Sequence, residues 1–220
     1  MSAEVRLLGD AAIVVTFGTE LSEAANDRVM ALARSLRVEP LAIPGVTDVV
    51  PAIASLVVHF DPRGADLPHA ATALALRAES AAAVVASAPG PLHEIPVRYG
   101  GTAGPDLADV AAFAGCTPAD VVERHARAIY RVYMLGFLPG FAYLGEVDPA
   151  IAAPRRPTPR QSVPAGSVGI AGRQTGVYPQ AAPGGWQIVG QSHLRLFDEA
   201  RGVSLLQPGD RVRFVPEDLA

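Results

Sequence analysis

A chain of 220 residues, half of them apolar, can build one large hydrophobic core or two modest ones, which excludes a disordered protein. The formal charge of −4 argues against a nucleic-acid binder, and all eighteen cationic residues are arginine. The lack of lysine removes Schiff-base chemistry, a lysine general base and the lysine of a phosphate-binding P-loop.

Cys116 is the single cysteine, so neither an internal disulfide nor a multi-cysteine zinc site is available. It lies between two helical patterns and reads as a small packed residue. The segment Met1 to Asp10 lacks the basic start and apolar run of an export signal, and Arg77 and Glu79 interrupt the alanine-rich stretch. A soluble, cytoplasmic protein is expected.

In chain order, Val5 to Leu8 and Ala12 to Phe17 are β-branched apolar runs separated by Gly9-Asp10, which predicts a hairpin. From Ser22 to Arg37 the residues Ala25, Val29, Leu32, Ala33 and Leu36 recur at helical spacing, with Ser22 placed to cap the first turn. Val46 to Val50 and Ser55 to Phe60 read as strands. A helix from about Pro68 to Val85 follows, stopped by Pro89-Gly90-Pro91. This order predicts a small α+β domain of ferredoxin-like pattern over residues 1–89, with helices on one face of an antiparallel sheet.

Beyond Ala88 to Leu92 the texture changes, and residues 90–220 read as a second domain. His93 to Tyr99 is a strand, and helices are predicted over Pro105 to Ala114 and Thr117 to Ile129, the latter with Thr117 as cap and Pro118 at its first position. Tyr130 to Phe137, Ser167 to Ala171, Gln187 to Val189 and Val212 to Val215 are short strands bounded by turn residues. Many short strands between turns predict a closed β barrel carrying one or two helices.

Charge is uneven in this second part. No acid occurs between Asp148 and Asp198, whereas Arg155, Arg156, Arg160, Arg173 and Arg195 all do. Such a segment suits an anionic ligand or acidic partner, or is a solvated basic face.

The run from Tyr130 to Leu144, YRVYMLGFLPGFAYL, resembles the central signature of the KipI and 5-oxoprolinase B-subunit family, also called allophanate hydrolase subunit 1. The likeness continues through Pro154-Arg155-Arg156, Pro159-Arg160, Val163 to Gly172, Gln174 to Pro179 and Pro183-Gly184-Gly185-Trp186. Residues 93–97 and 104–107 extend it over the second domain. The resemblance implies a cyclophilin-like C-terminal barrel and a complex with a homologous C-type subunit (allophanate hydrolase subunit 2 type) and an A-type subunit. That complex would cleave 5-oxo-L-proline to L-glutamate at the expense of ATP, this chain being inactive alone. No cofactor is assigned to this chain, and the subunit that holds ATP is left open, a Walker-type site here being excluded by the lack of lysine. The resemblance also offers two alternatives: inhibition of a sensor histidine kinase, as in some members, and carboxyl transfer on a urea-type substrate, from the family's similarity to the carboxyltransferase region of urea carboxylase.

Opening a lactam requires a polarised carbonyl, a group that holds the substrate carboxylate and a proton for the leaving nitrogen. Arg155 and Arg160 offer planar forks for a carboxylate, while Arg156, adjacent in sequence, is expected to point elsewhere. Gln174, Thr175 and Tyr178 supply neutral donors beside glycines, and Ser167 a further hydrogen bond. An imidazole ordinarily titrates near neutrality, so His125 is the first choice for acid or base work, or else caps the end of its helix. Phe137, Phe141 and Tyr143, on tight glycine turns, either wall a pocket or brace a rigid loop. No spacing of histidines and carboxylates calls for a metal.

Overall fold

The computed structural model describes residues 3–39, 45–82 and 90–217. The chain divides into two compact units, residues 1–88 and 89–220.

In the first unit, β1 (Glu4–Leu8) and β2 (Ala12–Thr16) form the hairpin expected around Gly9, whose φ of 67° suits a residue without a Cβ. The helix α1 (Glu23–Val38) starts where Ser22 Oγ accepts the Ala25 amide at 3.4 Å. Strands β3 (Val46–Pro51) and β4 (Ser55–Phe60) precede α2 (Leu67–Ala82). Residues 83–85 of the expected second helix and Pro89 of its stop lie outside the described residues.

The sheet order is β1-β2-β4-β3 with every pair antiparallel. This is a ferredoxin-like order with the last strand moved to the front of the chain. Edge position explains how β3 tolerates Pro51, since a proline there need not break a central ladder. Alternation in β2 and β4 buries Ile13, Val15, Leu56 and Val58 against Val29, Leu32, Ala33, Ala70 and Leu74 of the two helices.

The second unit opens with β5 (Leu92–Tyr99), followed by α3 (Leu107–Ala114) and α4 (Pro118–Arg127). Thr117 and Asp120 form a reciprocal capping box at the start of α4. That helix ends two residues before the expected Ile129, because Ala128 is already extended and leads into β6 (Tyr130–Leu135). There follow β7 (Ala142–Gly145), a 3-10 turn (Pro149–Ile151), β8 (Arg160–Val163), β9 (Ser167–Ala171), β10 (Gln174–Val177), β11 (Ala182–Gly184), β12 (Gln187–Gln191), β13 (Phe197–Asp198), β14 (Val203–Ser204) and β15 (Arg211–Pro216).

Seven strands close a barrel in the order β10-β7-β6-β15-β5-β12-β9, while β8 and β11 pair as a separate ribbon. Only β15 and β5 run parallel in the barrel; its other ladders are antiparallel. Ile95, Val97, Leu144, Val168, Ile170, Val189 and Phe214 are buried in its core. Among the described residues no helix is long and apolar enough to cross a membrane.

Closure depends on backbone contacts that leave no room for a side chain. A Cβ on Gly104 would sit 2.0 Å from the Val189 carbonyl oxygen, and backbone cannot swing aside. At Gly172, with φ of 58°, nothing lies within 4 Å, so alanine there meets only the left-handed penalty of about 1–2 kcal/mol. Gly104→Ala is therefore expected to destabilise the barrel more than Gly172→Ala does. Urea unfolding followed by the fluorescence of Trp186, the single tryptophan, measures both; equal losses would contradict this reading.

Candidate functional site

The loop between β6 and β7 makes a γ-turn: the Leu138 amide donates to the Gly136 carbonyl at 2.8 Å, across Phe137 with φ of 68°. This form of γ-turn is rare and strained for a residue with a side chain. The Gly136 amide to the Phe141 carbonyl at 3.1 Å, and the Phe141 amide to the Leu138 carbonyl at 3.0 Å, hold it closed. The turn leaves the Phe137 ring 58% exposed, whereas Phe141, four residues on, is buried.

Phe141 is the hub of an aromatic cluster. Its ring meets Tyr143 at 4.9 Å, Tyr178 at 5.3 Å, Trp186 at 5.4 Å and Phe137 at 5.6 Å between centroids, all edge to face. These rings, with Arg155, Pro159, Pro183, Gly184 and Gly185, line a hollow of about 240 Å³. Glycine is needed at 184, since a Cβ there would stand 2.2 Å from the Tyr178 hydroxyl.

The arginines of the adjoining loop are sorted by one carboxylate. Asp106, 2% exposed, accepts Arg156 Nη1 at 2.9 Å and Arg160 Nη2 at 2.6 Å on Oδ1, and the Ile188 amide at 2.6 Å on Oδ2. The Arg156 amide also donates to the Gly185 carbonyl at 2.7 Å. Arg155 is exposed, faces the hollow and, among the described residues, is paired with no carboxylate. Burial pushes the Tyr178 phenol above its ordinary range, while the Arg155 and Arg160 guanidiniums and the Trp186 amide pull it back. Tyr143 is likewise raised by burial, with Arg155 opposing. Both phenols are therefore neutral donors at physiological pH.

Inside the barrel runs a different polar chain, with His125 and Thr175 buried and Tyr99 half-buried at its end. The Thr175 hydroxyl donates to the Gly169 carbonyl at 2.9 Å, so its oxygen accepts from His125 Nε2 at 2.9 Å. His125 Nδ1 then accepts the Tyr99 hydroxyl at 2.7 Å. The imidazole stacks on Phe214 with centroids 4.6 Å apart, and the Tyr130 hydroxyl donates to the His125 carbonyl at 2.8 Å. Burial depresses the His125 pKa from 6.5 to about 3.

Residues 3–206 match the family model described as the carboxyltransferase domain, subdomain C and D. The chain belongs to the carboxyltransferase subdomain C and D family. A relative from Bacillus subtilis strain 168, named as the B subunit of 5-oxoprolinase, is 42% identical over 96% of this chain and 92% of its own length. Among solved structures, TTHA0988 superposes with a TM-score of 0.79 at 40% identity; this chain covers 99% of itself in that match and spans 41% of TTHA0988. Urea amidolyase of Kluyveromyces lactis gives a TM-score of 0.80 at 19% identity over 98% of this chain and 15% of that protein, a likeness of fold.

Within this carboxyltransferase-family chain, the hollow gathers Phe137, Phe141, Tyr143, Arg155 and Tyr178 from the residues singled out in the sequence. Arg160 stands beside it with one Nη spent on Asp106, so the expectation of two free forks reduces to one, Arg155. His125 and Thr175 lie in the barrel core, and neither His125 ring nitrogen is left over for a substrate proton. Ser167 is buried at the start of β9, where its carbonyl accepts the Tyr178 amide at 2.9 Å and fixes that tyrosine. Gln174 opens β10 beside Gly145 and Ala171, away from the hollow's lining. Trp186, Pro159 and Asp106 do not stand out as site residues in the sequence, although Trp186 closes the conspicuous Pro183-Gly184-Gly185 run. Among the described residues no group of three His, Cys, Asp or Glu could hold a metal ion.

The His125 shift has a signed consequence. Between pH 6.5 and about 3 the unfolded chain binds a proton that the folded chain refuses. Stability from this group is complete above pH 6.5 and falls as the pH drops, by up to about 1.4 kcal/mol per unit. His125→Gln should flatten the slope of barrel stability against pH between 6.5 and 4, read by urea midpoints from Trp186 fluorescence. A slope unchanged by the substitution would contradict a buried neutral imidazole.

Proposed function

We propose that this chain is the B-type subunit of an ATP-dependent 5-oxoprolinase, opening 5-oxo-L-proline to L-glutamate in the cytoplasm with C-type and A-type partner subunits. The observation that carries the proposal is full-length kinship, at 42% identity, with a protein named as the B subunit of 5-oxoprolinase. The hollow's size and lining support it: about 240 Å³ walled by aromatic rings suits a small, flat five-membered lactam.

In this reading the Arg155 guanidinium takes the substrate carboxylate through two parallel N–H donors. The neutral phenols of Tyr178 and Tyr143 hydrogen-bond the lactam carbonyl or nitrogen, and Phe137 covers the ring from the mouth. Water adds its oxygen to the ring carbonyl carbon, the C–N bond breaks, and the nitrogen leaves with a proton as the amine of glutamate. ATP hydrolysis, supplied by the complex, drives the opening. His125 and Thr175 act by holding β10, and hence the strand that leads into Tyr178, in register with the barrel.

Co-expression with C-type and A-type subunits, followed by coupled assays of glutamate and ADP, tests the reading. Glutamate and ADP should form together in the reconstituted mixture and neither with the chain alone. Full-rate cleavage by the isolated chain, or recovery of a sensor kinase as its equimolar partner, would contradict it. Arg155→Ala should raise KM for 5-oxoproline by roughly 10- to 100-fold, the worth of a charge-assisted hydrogen bond of about 1.5–3 kcal/mol. Tyr178→Phe should act mainly on kcat; an unchanged KM in the first variant would remove Arg155 from the site.

A further inference from the structure

A second hollow, about 490 Å³ against about 240 Å³ for the aromatic one, opens elsewhere on the same unit. Its polar lining is Arg98, Gln191, Ser192, His193, Arg195 and Glu217, and Ala165, Gly166, Pro179 and Leu194 complete it. Its described lining holds no Phe, Tyr or Trp, and the one aromatic ring is the His193 imidazole, which is exposed.

The walls are fixed by backbone. Arg98 on β5 and Gln191 on β12 are register partners, and Gln191 Nε2 donates to the Ala165 carbonyl at 2.9 Å. The Ser192 amide donates to the Gly166 carbonyl at 2.8 Å, and a Cβ on Gly166 would lie 2.1 Å from the Ser192 oxygen. Glycine at 166 thus lets two segments close into one rigid rim.

Charge gives the hollow its chemistry. Among the described residues Glu217 is the one acid in the lining, and it stands 3.5 Å from His193 Nδ1. Arg98 and Arg195 are both exposed, and among the described residues neither is paired with a carboxylate. Arg195 also borders a neighbouring hollow of about 410 Å³ that contains Arg201. Asp198, the acid of that neighbour, spends Oδ1 on the Ala200 and Arg201 amides at 3.0 and 3.3 Å. Across the two hollows the described lining sets Arg98, Arg195 and Arg201 against Glu217 and Asp198, an excess of one positive charge in a chain of net charge −4. Guanidinium forks fit phosphate oxygens two at a time, and a lysine-free chain has no other cation for that task.

The geometry points to this hollow as a phosphate-chain site, in which Arg98 and Arg195 grip the phosphoanhydride arm of a nucleoside triphosphate and leave the base unread. That the ligand is the ATP consumed in the reaction rests on the 5-oxoprolinase reading. The placement suits such a role: Tyr178 lines the aromatic hollow and Pro179, the next residue, lines this one, so one peptide links the two.

Isothermal titration of the full chain with inorganic triphosphate, ATP and inorganic phosphate tests the site. Triphosphate and ATP should each saturate one site with affinities within about threefold of each other, and inorganic phosphate should bind far more weakly. Arg98→Ala with Arg195→Ala should weaken both by at least tenfold, whereas Arg34→Ala, a surface arginine in the other unit, should not. Absence of saturable triphosphate binding, equal binding of single phosphate, or ATP binding indifferent to the double variant would each overturn the site. Glutamate formation by the reconstituted complex in those cases would leave the 5-oxoprolinase reading standing. Triphosphate binding by a chain whose complex forms no glutamate would fail that reading and keep the site.

Discussion

One buried carboxylate, Asp106, ties together the segments beside the aromatic hollow of the barrel. Asp106 stands just before α3, where its side chain could have capped the helix, yet both oxygens are turned to other segments. One oxygen gathers two guanidiniums and the other takes a backbone amide of β12. An ionised carboxylate this deeply buried is tolerable only with such partners, and removing one side of such a pair typically costs about 3–5 kcal/mol. The geometry it imposes is directional: Arg156 and Arg160 are drawn inward, and Arg155, between Pro154 and Arg156, is left facing the aromatic hollow.

Two polar systems thus share one barrel without mixing. The Tyr99, His125 and Thr175 chain is saturated and neutral, and it keeps the buried His125 and Thr175 in the core without an unpaired atom. The hollow walled by Phe137, Phe141, Tyr143, Tyr178 and Trp186 is half-open and keeps one free cation among its described lining. Strain is stored at the hollow and not in the core, since Phe137 holds its positive φ at the mouth. The division leaves the histidine in the core while the tyrosines and Arg155 line the hollow.

Much of the fold was legible wherever local chemistry decides the element. Gly9-Asp10 marks the first hairpin, Ser22 the start of α1, and Thr117 with Pro118 the start of α4. The strands β7, β8, β10 and β11, of three or four residues each, were not legible. Segments that short give too few alternations to reveal a period of two, and their pairing is fixed by partners far along the chain. At the site, the aromatic rings and Arg155 could be read because glycine and proline turns crowd them into a short stretch. The positions of His125 and Arg160 could not, because each is decided by what barrel closure brings opposite: Thr175 fifty residues on, and Asp106 fifty-four residues back. Asp106 itself carries a helix-start signal in the sequence, and that signal hides its longer-range task.

The most direct test of this account is the KM for 5-oxoproline of Asp106→Asn in the reconstituted complex, with Trp186 fluorescence reporting that the barrel remains folded. An amide presents one acceptor oxygen where the carboxylate presents two, and it carries no charge to hold Arg156 and Arg160. The account expects KM to rise at least tenfold, and Asp106→Glu, which keeps the charge, to recover part of the loss. A folded Asp106→Asn complex with the wild-type KM would contradict the claim that this carboxylate aims the arginine loop at the substrate.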